Sequence, residues 1–351
     1  MKLLVLNSGS SSLKFKLFHM ESLEVITSGI IEEIQSGGYL QAITKVEHIL
    51  ENFGVKSLDE LVAVGHRVVH GGEEFTKSVI INEHTIEIIK ELTSLAPLHN
   101  RSNLQGILEV KRLAPNLKQI AVFDTAFHQT IPQEAYMYAL PYEFYEKYKI
   151  RRYGFHGTSH FYVAKEAAKL LDKNLEELNL ITIHLGNGDS ICAIKNGKSV
   201  DTSMGFTPLE GLIMGTRCGD LDPAILLYLE RLNHYTTQEI DNILNKKSGL
   251  LGICGQSDMR LIDQMAKEGD VKAKLAHKMF AYHIKKYIGS YSMILGRVDA
   301  IVFTGGIGEN DEEMRERILQ DLNIEAKILV VKTDEEKEIA QQTKELLQNE
   351  K

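Results

Sequence analysis

A strand, a short turn rich in glycine and serine, and a second strand open each half of this chain. The pattern occupies residues 2–18 and recurs at residues 180–195. When the copies are aligned on Gly9 and Gly186, they are separated by about half of the 351 residues. Their sequence identity is slight, so the inference depends on the order of the elements. The recurrence predicts a duplicated α/β domain.

Strand-like and helical patterns alternate along the rest of the chain. We expect strands at 61–69, 120–123, 299–303 and 327–331, and helices at 42–53, 83–95, 101–113, 159–171, 271–295 and 334–347. Residues 129–153 are rich in tyrosine and contain two prolines, which predicts an irregular connector and a domain boundary. The alternation of strands with helices is typical of α/β architecture.

The composition excludes several classes of protein. The net charge is −8, which argues against a nucleic-acid binder, and no apolar run is long enough to span a bilayer. The three cysteines are widely spaced and show no metal-binding pattern. Free cysteines are typical of a reducing compartment, so we expect a cytoplasmic protein.

Three turns rich in glycine or serine follow predicted strands, at residues 7–12, 186–190 and 304–310. Such turns leave backbone N–H groups available and allow close approach of a phosphate. The chain lacks the P-loop pattern, and no G-x-G-x-x-G opens a helix after the first strand. Three such turns favour a nucleotide site, although each alone is compatible with a simple hairpin or strand-to-helix turn.

Two arginines and one aspartate stand in unusual sequence surroundings. Arg67 lies inside an apolar run, and Arg217 lies between glycine-containing stretches. A guanidinium group matches carboxylate or phosphate, although a structural ion pair is the alternative for each. Asp124 follows a predicted buried strand, where catalytic carboxylates are common and helix N-caps also occur.

His156 and His160 have a spacing that raises the question of a zinc site. The H-E-x-x-H pattern is absent, and we expect Gly157 to disfavour a regular helix there. A histidine that donates to a bound oxygen is therefore the favoured interpretation.

Six motifs in the same order resemble the acetate kinase family through nearly the whole chain. They occupy residues 7–14, 65–72, 153–160, 184–188, 215–220 and 305–310. The resemblance implies duplicated actin/sugar-kinase-like (ribonuclease H-like) α/β domains around an interdomain cleft. It also implies reversible phosphoryl transfer between ATP and acetate, with ADP and acetyl phosphate as products and with Mg²⁺, or Mn²⁺ in its place, as cofactor.

The family's functional residues transfer to positions of this chain that match its motifs. The implied catalytic residues are Asp124, His156 and Arg217, the substrate residues are Arg67, Val69, Leu98 and Pro208, and the metal ligands are Asn7 and Glu335. The implied nucleotide contacts are Lys14, His184, Leu185, Gly186, Asn187, Gly188, Asp258, Met259, Arg260, Gly306, Ile307, Gly308, Glu309 and Asn310. Arg67 would bind the carboxylate of the acid, while His156 and Arg217 would stabilise the transition state.

A carboxylic acid is already ionised at pH 7, so it needs no general base to attack phosphorus. The repulsion between two anions is the difficulty, and arginines, magnesium and a histidine donor offset it. We therefore expect Asp124 to orient its neighbours. The chain is shorter than typical family members before Leu61 and again between Asn310 and Lys327, which leaves Asp334 or Glu336 as alternatives to Glu335.

The resemblance also implies a domain organisation and a quaternary structure. We expect an acyl-substrate domain at 1–128 plus about 337–351, and a nucleotide-binding and dimerisation domain at 129–336. A homodimer follows from the family, without nucleic-acid or membrane partners. The alternatives are a propionate or butyrate kinase, a sugar kinase of the same superfold, and an actin- or chaperone-like ATPase.

Overall fold

The computed structural model describes residues 1–9, 11–34, 37–94 and 100–349. The chain forms two compact units. Unit 1 comprises Met1–Gln129, Gly157–Tyr162 and Asp334–Lys351, and unit 2 comprises Thr130–His156 and Val163–Thr333. Within the described ranges, no helix combines the length and apolarity that crossing a bilayer requires.

The strands follow the sequence-based expectation in order, with additions at the sheet edges. They are β1 (Lys2–Ser8), β2 (Leu13–His19), β3 (Val25–Ile31), β4 (Ala63–Val68), β5 (Val79–Ile80), β6 (Lys118–Phe123), β7 (Asn179–His184), β8 (Ser190–Lys195), β9 (Lys198–Thr202), β10 (Ala300–Thr304) and β11 (Lys327–Val330). Strands β3, β5 and β9 were not expected from the sequence.

The helices lie between and after these strands. They are α1 (Tyr39–Glu51), α2 (Glu83–Glu91), α3 (Asn100–Leu113), α4 (Gln133–Tyr136), α5 (Tyr142–Tyr148), α6 (Gly157–Leu171), α7 (Ala224–Asn233), α8 (Thr237–Lys246), α9 (Gly249–Cys254), α10 (Met259–Lys267), α11 (Val271–Leu295), α12 (Gly305–Asn310), α13 (Glu312–Leu319) and α14 (Glu335–Asn349). The expected irregular connector contains α4 and α5, and the third glycine turn is the short helix α12.

Five strands of the unit 1 sheet correspond in order to the five strands of the unit 2 sheet, and β5 is additional. Unit 1 has the strand order β3-β2-β1-β4-β6-β5, and unit 2 has the order β11-β10-β7-β8-β9. In both, the opening hairpin is antiparallel and its first strand pairs in parallel with a later strand, β4 or β10. Each third hairpin strand, β3 or β9, adds to the sheet edge in antiparallel fashion. This repetition confirms the duplicated α/β fold.

Side chains that alternate along each central strand supply the core on both faces of its sheet. In unit 1, Leu4 and Leu6 of β1 pack in one cluster with α1, while Leu3 and Val5 pack in another with α14. In unit 2, Ile181 and Ile183 of β7 pack with α11, while Leu180 and Cys192, on the opposite face of the sheet, are also fully buried. Both faces are therefore covered, which leaves the strand ends to carry polar side chains.

The start of α6 corrects one expectation from the sequence. Gly157 is the first residue of a regular helix, although we expected it to disfavour one. Its N–H donates to the Asp124 carbonyl oxygen at 2.9 Å, and a Cβ there would lie 2.1 Å from that oxygen. Glycine is required because the helix begins against the backbone of the loop after β6.

Candidate active site

In unit 1, three predicted site residues meet at one edge of the sheet. Asn7 is near the end of β1, Arg67 near the end of β4, and Asp124 directly follows β6. These strands are parallel to one another, so their carboxyl ends lie side by side. Arg67 donates to Asp124 Oδ2 from Nε at 3.0 Å and from Nη2 at 2.6 Å. Its Nη1 donates to Asn7 Oδ1 at 3.3 Å.

The carboxylate of Asp124 is 1% exposed and is held from two sides. In addition to Arg67, Thr158 Oγ1 donates to Asp124 Oδ1 at 3.0 Å. Thr158 was not expected at the site, although it lies within the motif at residues 153–160. Multiple charge-assisted and neutral donors fix the carboxylate in one orientation, which in turn fixes the guanidinium plane of Arg67.

The three acidic residues at the start of α14 have different partners. Lys16 Nζ lies 2.7 Å from Asp334 Oδ1 and 3.5 Å from Glu336 Oε2. Asp334 also accepts from the Lys337 N–H at 2.9 Å and so caps the helix. Glu335 instead extends toward Arg67, with Oε2 4.0 Å from Nε.

Glu335 has a perturbed ionisation. Burial raises its pKa to about 7, while Arg67 opposes this and Asp124 adds to it. A carboxyl group beside a second carboxylate has affinity for a cation, which would offset their repulsion. Of the three acidic residues, Glu335 is the one that the geometry associates with Arg67 and Asp124.

The described residues include two of the three residues predicted to form the apolar pocket, Val69 and Pro208. Val69 follows β4 in unit 1 and is 6% exposed. Pro208 lies in unit 2, where its carbonyl oxygen accepts from Arg217 Nη1 at 2.5 Å. Leu98 lies outside the described residues.

In unit 2, the turn between β7 and β8 packs closely against Arg217. Gly186 N–H donates to Asp189 Oδ1 at 2.6 Å, which closes the turn. A Cβ on Gly188 would lie 2.4 Å from Arg217 Nη2, so a larger residue there would displace the guanidinium group. Burial lowers the pKa of Arg217 and raises that of Asp189 to about 8.

His156 is oriented by two ring contacts in unit 2. Its Nδ1 lies 2.8 Å from Ser190 Oγ, and its ring stacks on His184 with centroids 4.3 Å apart. The backbone of His156 has φ 56°, a left-handed conformation that is uncommon outside glycine. Ser190 was not expected at the site from the sequence. His184, predicted to contact nucleotide, supports the ring of His156.

Unit 2 contains a cavity of about 910 Å³ at the ends of β7 and β10. Predicted nucleotide residues that line it are Gly186, Asn187, Asp258, Met259, Arg260, Gly306, Ile307 and Asn310. Residues that line it without having been predicted are Ser257, Asp263, Lys267, Asp311, Glu312 and Glu313. The volume is sufficient for a ligand of nucleotide size.

Other predicted nucleotide residues have structural contacts beside this cavity. Leu185 is fully buried, and its carbonyl oxygen accepts from the Ile307 N–H at 2.9 Å. Glu309 Oε1 accepts from the N–H groups of Gly305 and Thr333, both at 3.1 Å. The Leu185 contact joins the turn after β7 to α12, and the Thr333 contact joins α12 to the segment after β11.

Two further residues complete the predicted nucleotide set. Gly308 is buried in α12. Lys14 lies in unit 1 on β2, directly across from Asn7 in the strand register. Among the described residues, no group of three or more His, Cys, Asp or Glu is arranged as a metal site.

Comparisons with known proteins show the family of this chain. Residues 2–48 and 35–350 match the model of the Acetokinase family. An acetate kinase of Halothermothrix orenii is 53% identical over 347 residues, which cover 92% of this chain and 87% of that protein. A crystal structure of Porphyromonas gingivalis acetate kinase superposes with a TM-score of 0.92 at 41% identity, covering 99% of both chains.

Two other solved structures are informative. A propionate kinase from Francisella tularensis subsp. tularensis superposes with a TM-score of 0.92 at 42% identity, covering 97% of this chain and 98% of its own. A ROK hexokinase from Thermus thermophilus, at 13% identity and a TM-score of 0.51 over 100% of both chains, shares the fold alone. The chain belongs to the acetokinase family.

Proposed function

We propose that this protein transfers the γ-phosphoryl group of ATP to acetate, giving acetyl phosphate and ADP in a reversible reaction. The observation that carries the proposal is Arg67, held between Asn7 and Asp124 at the edge of the unit 1 sheet. A guanidinium group that is fixed in this way matches a small carboxylate, and Val69 supplies an apolar neighbour for a short carbon chain. Unit 1 is therefore the acceptor side.

We assign the nucleotide to the cavity of unit 2. The turn at residues 186–189 and the N-terminus of α12 border this cavity, and backbone N–H groups of such turns suit phosphate. Arg217 packs on Gly188, and His156 lies beside it, with Cε1 3.6 Å from the position of a Cβ on that glycine. These two side chains would stabilise negative charge on the transferring group.

The transfer needs no proton movement. An acetate oxygen forms a bond to the γ-phosphorus while the bond from that phosphorus to the β–γ bridging oxygen breaks, and ADP keeps the electron pair. Acetate is ionised at pH 7, so no base is required. Asp124, already engaged by Arg67 and Thr158, orients the guanidinium group and takes no proton.

The residues of unit 1 fit magnesium as the cofactor. Asn7 offers an amide oxygen and Glu335 a carboxylate, and Mg²⁺ in kinases is held by few protein oxygens together with phosphates and water. Asn7 and Glu335 would hold the ion. Bound there, it would neutralise charge on the phosphates of the nucleotide.

Propionate is the second candidate substrate. The propionate kinase of Francisella tularensis subsp. tularensis, 42% identical to this chain, favours this alternative. One added methylene changes binding by only about 1–3 kcal/mol in an apolar pocket. We place acetate first because the acetate kinase of Halothermothrix orenii is 53% identical.

We further propose a cytoplasmic homodimer. The cysteines are free, as expected in a reducing compartment. Unit 2 exposes large apolar side chains on α7 and α11, among them Leu227, Tyr228, Tyr282 and Met293. An apolar surface of this kind is typical of a subunit interface. Light scattering in solution should give twice the 39.5 kDa chain mass.

Trapping with hydroxylamine tests the activity directly. With ATP, Mg²⁺ and acetate, we expect ADP and trapped acyl phosphate in equal amounts. Arg67→Ala should raise the KM for acetate, and Arg217→Ala should lower kcat by about 10²–10³-fold. Arg297→Ala, at an exposed arginine paired with Asp299, is the matched control and should change neither. Equal ADP release without acetate, or turnover only with a sugar, would contradict the proposal.

A further inference from the structure

The first turns of α3 face the ends of two strands that carry predicted site residues. Asn100, Asn103 and Gly106 lie three positions apart on one side of the helix, and the two asparagines are 0% and 2% exposed. Buried amides need hydrogen-bond partners on both the oxygen and the nitrogen. In this helix those partners are backbone groups of Ser8, the last residue of β1, and of Val69 and His70, which directly follow β4.

Asn103 joins the end of β1 to the end of β4. Its Nδ2 donates to the Ser8 carbonyl oxygen at 2.7 Å, and its Oδ1 accepts from the Val69 N–H at 3.0 Å. The nitrogen of the amide therefore bonds to the end of β1, and the oxygen bonds to the residue that follows β4. Asn7 precedes Ser8, and Arg67 is two residues before Val69. Asn103 therefore links the strand end that carries Asn7, which we assign to the metal, to the strand end that carries Arg67, which we assign to the acid.

Neighbouring contacts hold α3 close to this edge of the sheet. Asn100 accepts from the His70 N–H at 3.0 Å and donates to the His70 carbonyl oxygen at 2.9 Å. A Cβ on Gly106 would lie 2.3 Å from Ser8 Oγ, so a larger residue there would displace the Ser8 hydroxyl group. These contacts hold α3 against the ends of β1 and β4. The Asn103 amide can therefore bond to Ser8 and to Val69 at the same time.

We propose that Asn103 is a positioning residue for the acceptor acid. It fixes the separation between the end of β1, which carries Asn7, and the end of β4, which carries Arg67 and leads into Val69. It thereby fixes the distance from the guanidinium group of Arg67, which binds the carboxylate, to the apolar side chain of Val69. This inference rests on the proposed assignment of Arg67 and Val69 to the acid. Aspartate at this position would keep the shape but would lose the donor to Ser8 and bury a charge.

The test compares Asn103→Asp with the wild-type enzyme in steady-state kinetics. We expect the KM for acetate to rise about tenfold or more, equivalent to about 1.4 kcal/mol, while the KM for ATP changes less than about twofold. The matched control is Asn179→Asp in unit 2, a buried asparagine that donates to the Leu295 and Arg297 carbonyl oxygens. It should lower the melting temperature without changing the KM for acetate.

A second variant covers the case in which Asn103→Asp does not fold. Asn103→Ser keeps a donor and an acceptor on a shorter side chain and should raise the KM for acetate in the same direction. An unchanged KM for acetate in a folded variant would overturn the proposal, as would equal increases in the KM values for acetate and ATP. If the wild-type enzyme forms no acyl phosphate, the proposed function and this inference both fail. If the wild-type enzyme forms acyl phosphate but a folded variant has an unchanged KM for acetate, this inference alone fails.

Discussion

The two site arginines differ in what neutralises their charge. Arg67 is paired with the carboxylate of Asp124, and despite burial, that contact keeps the pKa of Arg67 above its ordinary value. Arg217 donates to a neutral carbonyl, and burial lowers its pKa. Asp189 is the acidic neighbour of Arg217, and burial raises its pKa to about 8. At pH 7 the charge of Arg217 is therefore largely uncompensated, which suits it to a phosphoryl group that gains charge.

The protonation of Asp189 predicts how stability depends on pH. Its pKa is about 8 in the folded chain and near 3.8 in the unfolded chain, so the folded state binds the extra proton between these values. The resulting stabilisation is present below pH 4 and is lost as the pH rises toward 8, by up to about 1.4 kcal/mol per pH unit. Asp189→Asn should remove this component. Urea unfolding of both proteins between pH 5 and 8 should show the variant gaining relative stability as the pH rises, and a constant difference would contradict the prediction.

The contact between Ser190 and His156 predicts a loss of rate without a loss of binding. The serine hydroxyl fixes the ring at Nδ1, and its removal should let the ring reorient. We expect Ser190→Ala to lower kcat about tenfold, less than loss of an oxyanion donor, with little change in either KM. Ser190→Thr should restore most of the rate. If alanine and threonine behave alike in kinetics, the hydroxyl has no orienting role.

The partners of the acidic residues on α14 predict which of them holds magnesium. Glu335→Gln should raise the Mg²⁺ concentration for half-maximal rate at least about tenfold, since loss of even an outer-shell partner costs about that much. Glu336→Gln is the matched control because Glu336 lies 3.5 Å from Lys16 Nζ. A titration of activity with Mg²⁺ distinguishes them, and equal shifts in the two variants would contradict the assignment.

Helix α6 shows how one element depends on a glycine at its first residue. The sequence predicts the body of this helix, since apolar residues recur at helical spacing. It does not predict the start at Gly157, because that depends on the Asp124 carbonyl oxygen 33 positions earlier in the chain. Local propensity counts against glycine in a helix, and the tertiary contact overrides it.

Two glycine-to-alanine substitutions test this difference. Gly157→Ala should destabilise the fold by about 1–3 kcal/mol, because a Cβ would lie 2.1 Å from a backbone oxygen that cannot move aside. It should also displace Asp124 and reduce activity. Gly289→Ala in α11 meets nothing within 4 Å and should stabilise the helix by about 0.5–1 kcal/mol. Thermal unfolding of both variants is the measurement, and a neutral effect of Gly157→Ala would contradict the role of this contact.

For the whole molecule, the sequence pattern was enough to predict the duplicated α/β fold. Each half opens with two strands joined by a turn rich in glycine or serine, and the structure places both hairpins in sheets that share the order of five strands. Edge strands β3 and β9 escaped prediction because their partial exposure weakens the apolar pattern.

The contacts that orient the site were less accessible to sequence reasoning. Thr158, Ser190 and Asn103 are ordinary polar residues whose importance depends on partners 34, 34 and 95 positions away. Arg67 and Arg217 were recognised because a charge in apolar or glycine-rich surroundings is unusual in itself. Signals of that kind are local in sequence, whereas the orienting contacts exist only after the chain has folded.

The central claim is that an oxygen of acetate attacks the γ-phosphorus of ATP, and oxygen-18 in the acetate carboxylate tests it most directly. The acyl phosphate formed from labelled acetate, ATP and Mg²⁺ is cleaved with hydroxylamine, which attacks the carbonyl carbon and releases phosphate. We expect mass spectrometry to find one labelled oxygen in that phosphate and none in the nucleotide. Unlabelled phosphate, or label in AMP, would contradict direct transfer to the carboxylate.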